Sequence, residues 1–463
     1  MIEGLKPYAE YKESGSKWLG AVPAKWEVRN LRTLIAKRTE RDHPDLPLLS
    51  VAREKGVFVR SMTDADENHN VIPNDLTNYK VARAGNLVIN KMKAWQGSMG
   101  IAPCDGIVSP AYFVFNFRIA NHAFGQRLLR SKPYVAHFGQ ASDGVRVGQW
   151  DLSIPGMRQI PVLVPSDDEQ AAIVRFLDHA NRKIDGFIRA KRKLIGLLNE
   201  QKQAIIHSAV TRGLNPDVKL KDSGIPWLGE IPEHWETKRI KYLLREVDNR
   251  STTGLEPLLS MRMYHGLVVF SEHFTRPPQA ATLVGFKIVR PGQFVVNRMQ
   301  AGNGVIFPSC LSIVGLVSPD YAVFDPIADV NVDYLGELFR SRTLRVKFRS
   351  ESKGLGTGTS GFMRLYNDRF GAIHISLPPR VEQDSILKGI EEQSETLNTT
   401  IARTEREIAL MLEYRTRLTA DIVTGKLDVR DAAAKLPEVA ADEVIEPLAD
   451  EPTDEIETEE IVG

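Results

Sequence analysis

An internal repeat constrains this 463-residue chain more than any other feature of its sequence. Residues 14–31 are SGSKWLGAVPAKWEVRNL and residues 223–240 are SGIPWLGEIPEHWETKRI, and eight of the eighteen positions are identical. We call these two segments the tryptophan motifs. A later segment, GNLVINKM at 85–92, matches GQFVVNRM at 292–299 in the same order along the chain. Such an ordered series of matches indicates a tandem duplication, so any fold proposed for one copy must also suit the other.

Each copy divides into a globular part and a long helix. Short apolar runs such as LVIN at 87–90 and FVVN at 294–297 alternate with Gly, Pro, Asn and Asp, and helical stretches near 124–138 and 334–348 interrupt them. This pattern predicts an α+β fold, a tandem duplication of a mixed α/β domain plus a long helix. The predicted ranges are 1–165 for the first domain, 166–213 for the first long helix, 214–379 for the second domain, 380–430 for the second long helix and 431–463 for a disordered tail.

Both long helices carry apolar residues at alternating spacings of three and four, the 3.5-residue repeat of a coiled coil. A helix of about 40 residues is about 60 Å long, which is too long to pack only on its own domain. We therefore expect the two helices to pair as an antiparallel coiled coil with pseudo-two-fold symmetry. The predicted pairing seam consists of Ile173, Leu177, Ile184, Leu194, Leu198, Ile386, Ile390, Leu397, Ile408 and Leu418.

The net charge of +1 conceals a strong asymmetry along the chain. Residues 437–463 contain eleven Asp and Glu and no Lys or Arg, so residues 1–436 have a net charge of +12. A body this basic favours a polyanionic partner, and the acidic tail has the composition of a disordered segment. No apolar run approaches the ~18 residues of a membrane span, no signal peptide is recognisable, and two cysteines fit a reducing compartment, so we expect a cytoplasmic protein.

The doubled order of tryptophan motif, globular part and helix strongly resembles the specificity subunit of type I restriction–modification enzymes. The pattern SGxxWLGxxPxxWE occurs twice, and a proline precedes a Glu-Gln pair, at 169–170 and at 382–383, near the start of each long helix. The resemblance covers residues 7 to 430, and in that family each globular part is a target-recognition domain for one half of an asymmetric, bipartite DNA site. The two long helices are the spacer between these domains.

The resemblance also implies partners and a division of labour. It implies that the chain binds double-stranded DNA, two modification (methyltransferase) subunits and two restriction (helicase–nuclease) subunits, in a system for phage defence. The chain itself is then non-catalytic, with no cofactor of its own and no metal site. Adenine methylation with S-adenosylmethionine, and DNA cleavage with ATP and Mg²⁺, belong to the partner subunits.

The segments between the matching tryptophan motifs and helices diverge, which predicts two unlike half-sites instead of a palindrome. Phosphate contacts position a protein on DNA, whereas Arg or Lys to guanine and Asn or Gln to adenine are the usual base contacts. Glycine-rich stretches at 142–146 and 354–359 allow a close backbone approach to phosphate. The candidate DNA-binding side chains in these stretches, in the turns after the LVIN and FVVN strands and in the divergent segments are Arg53, Lys91, Lys93, Arg146, Arg262, Arg298, Gln300, Lys353 and Arg364.

Two alternatives remain open from the sequence. One is a coiled-coil scaffold whose globular ends bind proteins, and the other is a self-contained DNA methyltransferase or nuclease with an unrecognised active site. The sequence contains no Walker loop and no His-x-x-x-His zinc pair. Salt-dependent binding to one bipartite DNA sequence would argue against the scaffold, and absence of methyl transfer and cleavage by the purified chain would argue against the enzyme.

Overall fold

The computed structural model describes residues 5–60, 75–143, 150–263, 265–274, 277–278, 280–355 and 362–437. The strands of the first copy are β1 (Tyr11–Glu13), β2 (Ala21–Pro23), β3 (Glu27–Asn30), β4 (Ile35–Arg38), β5 (Leu49–Ala52), β6 (Gly56–Val59), β7 (Lys80–Ala82), β8 (Leu87–Asn90), β9 (Met99–Ile101), β10 (Gly106–Val108), β11 (Tyr112–Phe117), β12 (Ser142–Asp143), β13 (Asp151–Leu152) and β14 (Pro161–Val164). Its helices are α1 (Leu31–Leu34), α2 (His122–Leu129), α3 (Lys132–Gln140), α4 (Ile154–Arg158) and the long α5 (Asp167–Arg212), with a 3₁₀ turn at Ala94–Gln96.

The second copy repeats this order of elements. Its strands are β15 (Leu220–Asp222), β16 (Glu230–Pro232), β17 (Glu236–Arg239), β18 (Leu244–Val247), β19 (Leu259–Arg262), β20 (Gly266–Val269), β21 (Lys287–Val289), β22 (Phe294–Val296), β23 (Ile306–Pro308), β24 (Gly315–Val317), β25 (Ala322–Pro326), β26 (Lys353–Leu355), β27 (Phe362–Arg364) and β28 (His374–Leu377). Its helices are α6 (Phe270–His273), α7 (Val332–Arg340), α8 (Arg342–Glu351), α9 (Asn367–Ala372), the long α10 (Arg380–Val423) and α11 (Arg430–Ala434), with 3₁₀ turns at Ile240–Tyr242 and Ala301–Asn303.

The strand pairing of the two copies matches as well. The largest sheet has the order β4-β11-β8-β9 in the first copy and β18-β25-β22-β23 in the second, with antiparallel neighbours in both. The strand that precedes each long helix pairs with a strand of the tryptophan motif, β14 with β3 and β28 with β17. The mixed α/β fold of each copy and the repetition between copies agree with the sequence prediction.

The chain forms two compact units that do not follow the predicted ranges. Within the described residues, the first unit contains residues up to 190 and residues from 406 onward, and the second contains residues 191–405. Each unit therefore combines one globular head with part of both long helices. The predicted division assigned each helix to a range of its own. The heads bury both helices in their cores because an amphipathic helix lowers its free energy by covering its apolar stripe.

In the first unit, parts of both long helices lie beside the head. Asp185 of α5 accepts a hydrogen bond from Arg415 of α10 at 2.9 Å. Arg175 of α5 donates to the carbonyl of Leu436, which lies beyond α10 and just after α11. The core of this unit contains Trp26 from the first tryptophan motif together with residues of both helices, among them Ile173, Leu177, Ala180, Leu418 and Ile422.

The second unit combines its head with the C-terminal half of α5 and the N-terminal half of α10. Lys202 of α5 donates to Asn398 of α10 at 2.8 Å. Eleven residues further on, a Cβ on Gly213 would lie 3.3 Å from Glu382 Oε1. The contacts thus move toward the start of α10 as α5 advances, so the two helices run antiparallel in this unit. The core contains Trp235 from the second tryptophan motif, surrounded by apolar residues that include Ile206, Val210, Ile386 and Ile390.

The long helices end beside two glycines in the left-handed region, Gly213 and Gly425, both with φ of +79°. The predicted first helix, 166–213, agrees with the observed Asp167–Arg212, but the predicted second helix, 380–430, extends too far. It ends at Val423, because Gly425 adopts a left-handed φ of +79° through which an α-helix cannot continue.

The segment after this turn forms α11 as a separate turn of helix. Part of the predicted disordered tail, 431–463, therefore belongs to a helix, and the buried side chain of Ala433 packs in the core of the first unit. The tail from residue 438 onward lies outside the described residues.

The predicted seam is buried over most of its length. Seven of its ten residues are buried and Leu198 and Ile408 are half-buried, whereas Leu194 is 36% exposed. Leu194 lies between Ala180 and Ile206, in a part of α5 that contributes to neither of the two large hydrophobic cores. None of the described helices combines the length and the apolarity that a membrane span requires.

Candidate nucleic-acid interface

The turn after the strand β8 in the first copy, and after β22 in the second, has the same construction. The side-chain oxygen of Asn90 accepts a hydrogen bond from the backbone N–H of Met92 at 3.1 Å, and Asn297 does the same for Met299 at 3.1 Å. Asn side chains favour such turns because their side-chain oxygen takes the place of a backbone acceptor. The residue between the asparagine and the methionine is Lys91 in the first copy and Arg298 in the second.

A returning strand lies against this turn. The N–H of Leu152 donates to the carbonyl of Lys91 at 2.9 Å, and the N–H of Leu365 donates to the carbonyl of Arg298 at 2.9 Å. The residue before each donor is therefore also equivalent, and it is Asp151 in the first copy and Arg364 in the second. Both residues follow the glycine-rich segments, at 144–149 and 356–361, that lie outside the described residues.

Charged side chains from distant parts of the first copy come together here. Lys80 donates from Nζ to the carbonyl of Tyr112 at 2.6 Å, and Lys91 Nζ lies 2.8 Å from Asp151 Oδ2. Burial lowers the pKa of Lys80, and three nearby cations lower it further. Five residues make up this group, which we call cluster 1: Lys37, Arg41, Lys80, Lys91 and Asp151.

The second copy carries a corresponding group. The side chain of Lys287 is only 4% exposed, with Nζ 3.6 Å from Asp248 and 4.0 Å from Glu246. Burial lowers the pKa of Lys287, the cation of Arg298 adds to this effect, and the two carboxylates oppose it. We call this group cluster 2, and it consists of Glu246, Asp248, Arg250, Lys287, Arg298, Asp320 and Arg364.

Carboxylates hold the arginines of cluster 2. Arg298 donates to Glu246 at 2.9 Å, Arg250 donates to Asp248 at 3.1 Å, and the terminal nitrogen of Arg364 lies 3.6 Å from Asp320. Burial lowers the pKa of the Arg298 guanidinium. The group stays charged, because the pKa of an arginine lies far above neutral pH. These contacts fix the direction of the guanidinium groups before any ligand arrives.

The strand registers show which positions correspond between the clusters. Lys37 and Glu246 occupy the same place in β4 and β18, since each lies opposite a phenylalanine of the neighbouring strand, Phe115 or Phe324. At equivalent backbone positions, the two clusters share some cations and differ in charge at other positions. Three positions carry a cation in both copies: Arg41 with Arg250, Lys80 with Lys287, and Lys91 with Arg298. Two positions reverse their charge between the copies: Lys37 with Glu246, and Asp151 with Arg364.

The clusters account for three of the predicted DNA-binding residues, Lys91, Arg298 and Arg364. Lys353 lies opposite Arg364 across the β26–β27 pair, so it borders cluster 2. The other members of the clusters, including Lys80 and Lys287, are charged residues that the sequence did not single out. The repeat itself relates Lys80 to Lys287, because each lysine precedes the first residue of its matched strand, Leu87 or Phe294, by seven positions.

The other candidates make none of the contacts described above for the two clusters. Arg53 is 70% exposed in the β5–β6 turn, beside Glu54 at 3.3 Å, and Lys93 is exposed at the start of a 3₁₀ turn. The guanidinium of Arg262 lies 5.6 Å from the ring centre of Phe274, and Gln300 accepts a hydrogen bond from Asn303 at 2.6 Å. Arg146 lies outside the described residues. The binding of all nine candidate residues to DNA stays a prediction.

Two tryptophans border cluster 1 and have no equivalent in the second copy. The rings of Trp95 and Trp150 lie 5.1 Å apart, and Trp150 directly precedes Asp151. In the second copy, Gly302 occupies the position equivalent to Trp95. There is little room for a side chain there, because a Cβ on Gly302 would lie 3.2 Å from Arg349 Cβ. The two heads therefore present different side chains on the same backbone turn. Among the described residues, no group of three or more His, Cys, Asp or Glu is placed to hold a metal ion.

Comparison with known proteins relates this fold to solved structures. No protein-family model matches the sequence, and no curated protein matches it in sequence. A chain from a structural study of complex assembly and conformational transition of the type I restriction–modification system is 14% identical, with a TM-score of 0.56 over 88% of this chain and 99% of that chain. The present chain therefore shares the fold of that protein.

Two further solved chains align over similar lengths and superpose less closely. The HsdS subunit from Thermoanaerobacter tengcongensis is 15% identical, with a TM-score of 0.40 over 88% of this chain and 98% of that chain. The S subunit of a type I restriction–modification system from M. genitalium is 11% identical, with a TM-score of 0.29 over 86% of this chain and 96% of that chain.

Proposed function

We propose that this chain is the DNA sequence-specificity subunit of a type I restriction–modification complex and binds an asymmetric, bipartite duplex site. The observation that carries the proposal is the pair of equivalent cation clusters on two duplicated heads, with the charge reversed at two positions. The shared fold with a protein from a type I restriction–modification structure supports it.

The common cations would bind the DNA backbone. Arg41 of one head matches Arg250 of the other, and both are exposed, so each head offers an exposed cation at the same place. The matched lysines Lys80 and Lys287 add positive charge nearby. Neutralising phosphates releases condensed counterions, and this makes the affinity depend steeply on salt. Such contacts position a protein on DNA without specifying a sequence. The same cations on both heads would therefore give both halves of the site a similar, sequence-independent affinity.

The positions of reversed charge would make the half-sites unlike. Glu246 replaces a lysine and Arg364 replaces an aspartate, so hydrogen-bond donors and acceptors are exchanged between the two heads. Base edges in the major groove differ in their donor and acceptor patterns, and a changed side-chain pattern selects a different base. A duplicated protein with identical heads would instead select a palindrome.

In this proposal the chain performs no chemistry and acts as the scaffold of the complex. Two modification subunits with S-adenosylmethionine would methylate adenine, and two restriction subunits with ATP and Mg²⁺ would cleave DNA. The structure that shares this fold comes from work on the assembly of a type I complex, which supports partners of this kind. The proposal also places the protein in the cytoplasm, where such a complex meets DNA.

Selection from a randomised duplex pool with the purified full chain tests the proposal. We expect enrichment of two short, unlike sequence blocks separated by a gap of constant length. The affinity for the selected site should fall steeply as salt increases. Enrichment of no sequence, or of a palindrome, would contradict the proposal, and methyl transfer or cleavage by the chain alone would favour the self-contained enzyme.

A pair of variants then tests the role of the clusters. Replacing the exposed pair Arg41 and Arg250 by glutamine should reduce the slope of log affinity against log salt by about 0.9 for each phosphate that is no longer neutralised. Lys388→Gln is the matched control, because this lysine is 77% exposed on α10, close to Glu392 at 3.7 Å, and lies outside both clusters. An equal effect of the control and the cluster variants would show that general charge, and not the clusters, binds DNA.

A further inference from the structure

We infer that Arg298 and Arg364 form a guanine-recognition site in the second head, and that the equivalent pair in the first head, Lys91 and Asp151, has no such specificity. This inference rests on the proposed function and identifies the residues that make the two half-sites different. The two pairs are equivalent in their backbone contacts. In each copy the residue that follows Asp151 or Arg364 donates its N–H to the carbonyl of the turn residue, Lys91 or Arg298, at 2.9 Å.

The two pairs differ in how their charges are satisfied. In the first head Lys91 and Asp151 neutralise each other directly at 2.8 Å. In the second head two guanidinium groups stand at these places, and each lowers its energy by contact with a separate carboxylate. Arg298 and Arg364 are close because the residue after Arg364 donates its N–H to the carbonyl of Arg298 at 2.9 Å. Burial lowers the pKa of Arg298, and the positive charge of Arg364 lowers it further. The second head therefore concentrates arginine donors where the first head has an internal ion pair.

The surrounding carboxylates favour a base over a phosphate as the ligand. Glu246 and Asp320 lie beside the two arginines, and a phosphate brought to the same place would meet their negative charges. A guanidinium has five N–H donors in a planar fork, so a carboxylate on one side leaves donors for another acceptor. Guanine offers two acceptors, O6 and N7, on its major-groove edge, and a forked arginine matches them.

Burial and packing hold both arginines in fixed directions. The side chain of Arg298 is 16% exposed and that of Arg364 is 24% exposed, and the guanidinium of Arg364 lies 5.8 Å from the ring centre of Tyr366. Within the described part of the chain, the Nε atoms of both arginines are buried and have no hydrogen-bond partner. A guanidinium that is already oriented loses less conformational entropy on binding, and this increases its power to discriminate between bases.

The test uses the purified full chain and selection from a duplex pool randomised in both half-sites. The wild-type protein should select guanine in one half-site at a position that depends on both arginines. Arg364→Lys and Arg298→Lys keep the charge and remove the fork, so each should lower the preference for guanine over other bases at that position by about ten-fold or more. The other half-site should remain unchanged.

Further variants separate recognition from general effects. Asp320→Asn releases Arg364 from its carboxylate and should also weaken the guanine preference. Arg369→Lys is the matched control, because this arginine belongs to the same head, lies 3.3 Å from Glu351 and is outside cluster 2. It should leave every base preference as in the wild type. Thermal unfolding of each variant verifies that the second head is folded.

The outcomes distinguish this inference from the proposed function. If the wild-type chain selects no bipartite sequence, the proposed function fails. If it selects a bipartite sequence and neither Arg364→Lys nor Arg298→Lys alters a base preference, the inference alone is overturned. A uniform loss of affinity for all sequences, with a smaller salt dependence, would also overturn it, since that result is typical of phosphate contacts.

Discussion

The substitution Lys287→Met separates what stabilises the second head from what binds DNA. Lys287 is buried, yet its Nζ lies no closer than 3.6 Å to the carboxylate oxygens of Asp248 and Glu246. Both neighbouring carboxylates have a nearer cation, since Arg250 lies 3.1 Å from Asp248 and Arg298 lies 2.9 Å from Glu246. Methionine has a similar length and no charge, so it would fill the space of the lysine without leaving a carboxylate unpaired.

The expected effect on stability is small and favourable. Replacing a buried ion pair by apolar groups of similar volume is neutral or stabilises a protein by about 1–4 kcal/mol. We expect the low end of this range, about 1 kcal/mol, because the partners of Lys287 are partly exposed. The second unit contains residues 191–405. For a unit of this size, a stabilisation of about 1 kcal/mol raises the melting temperature by about 2–4 °C, which calorimetry can measure.

The equivalent substitution in the first head should have the opposite effect on stability. Lys80 donates to the carbonyl of Tyr112 at 2.6 Å, and methionine would leave this acceptor without its partner. This contact is partly buried, and an acceptor left unsatisfied there costs about 1 kcal/mol, so Lys80→Met should lower the melting temperature of the first unit. Both variants should weaken DNA binding at low salt, because each removes one cation from its cluster.

The pH dependence supplies a second measurement of the same prediction. Burial holds the pKa of Lys287 in the folded protein below its value of about 10.4 in the unfolded chain. Between these two values the unfolded chain binds more protons, so the contribution of this lysine to stability rises with pH. The advantage of Lys287→Met over the wild type should therefore shrink as the pH approaches about 10. A destabilised variant, or unchanged DNA affinity, would refute the reasoning.

Three further substitutions test the packing of the first unit. Tyr8→Phe removes a buried hydrogen bond to Glu169 at 2.7 Å, and we expect denaturant unfolding to show a loss of about 1.5–3 kcal/mol. Gly106→Ala would place a Cβ 2.7 Å from the carbonyl oxygen of Pro47, and a melting temperature equal to that of the wild type would contradict this close approach. Gly186→Ala has open space around its Cβ on α5 and should stabilise the unit by about 1 kcal/mol in the same unfolding assay.

Local patterns predicted the elements well, because their causes lie within short segments. The period of 3.5 residues predicted the first long helix to within one residue at each end. The predicted range of the second helix, 380–430, extended past its observed end at Val423, because the left-handed φ of Gly425 turns the chain there.

The candidate site was predictable only in part, for a different reason. Lys91, Arg298 and Arg364 were found because they lie in or near segments that match between the copies. Lys80 was not, although the repeat aligns it with Lys287. A lysine in an apolar strand has no distinct local signal, and its role depends on neighbours that are tens of residues away.

The sequence by itself determined the duplication, the order of strands and helices and the amphipathic stripe of the long helices, since these follow from periodicity and from repeated segments. Only the tertiary structure decided which charges meet. The antiparallel pairing of β4 with β11 and the return of β13 to the turn after β8 bring Lys37 and Asp151 into one cluster from more than one hundred residues apart. Electrostatic energy depends on distance in space, so the difference between the two heads became visible only when the strands were in register.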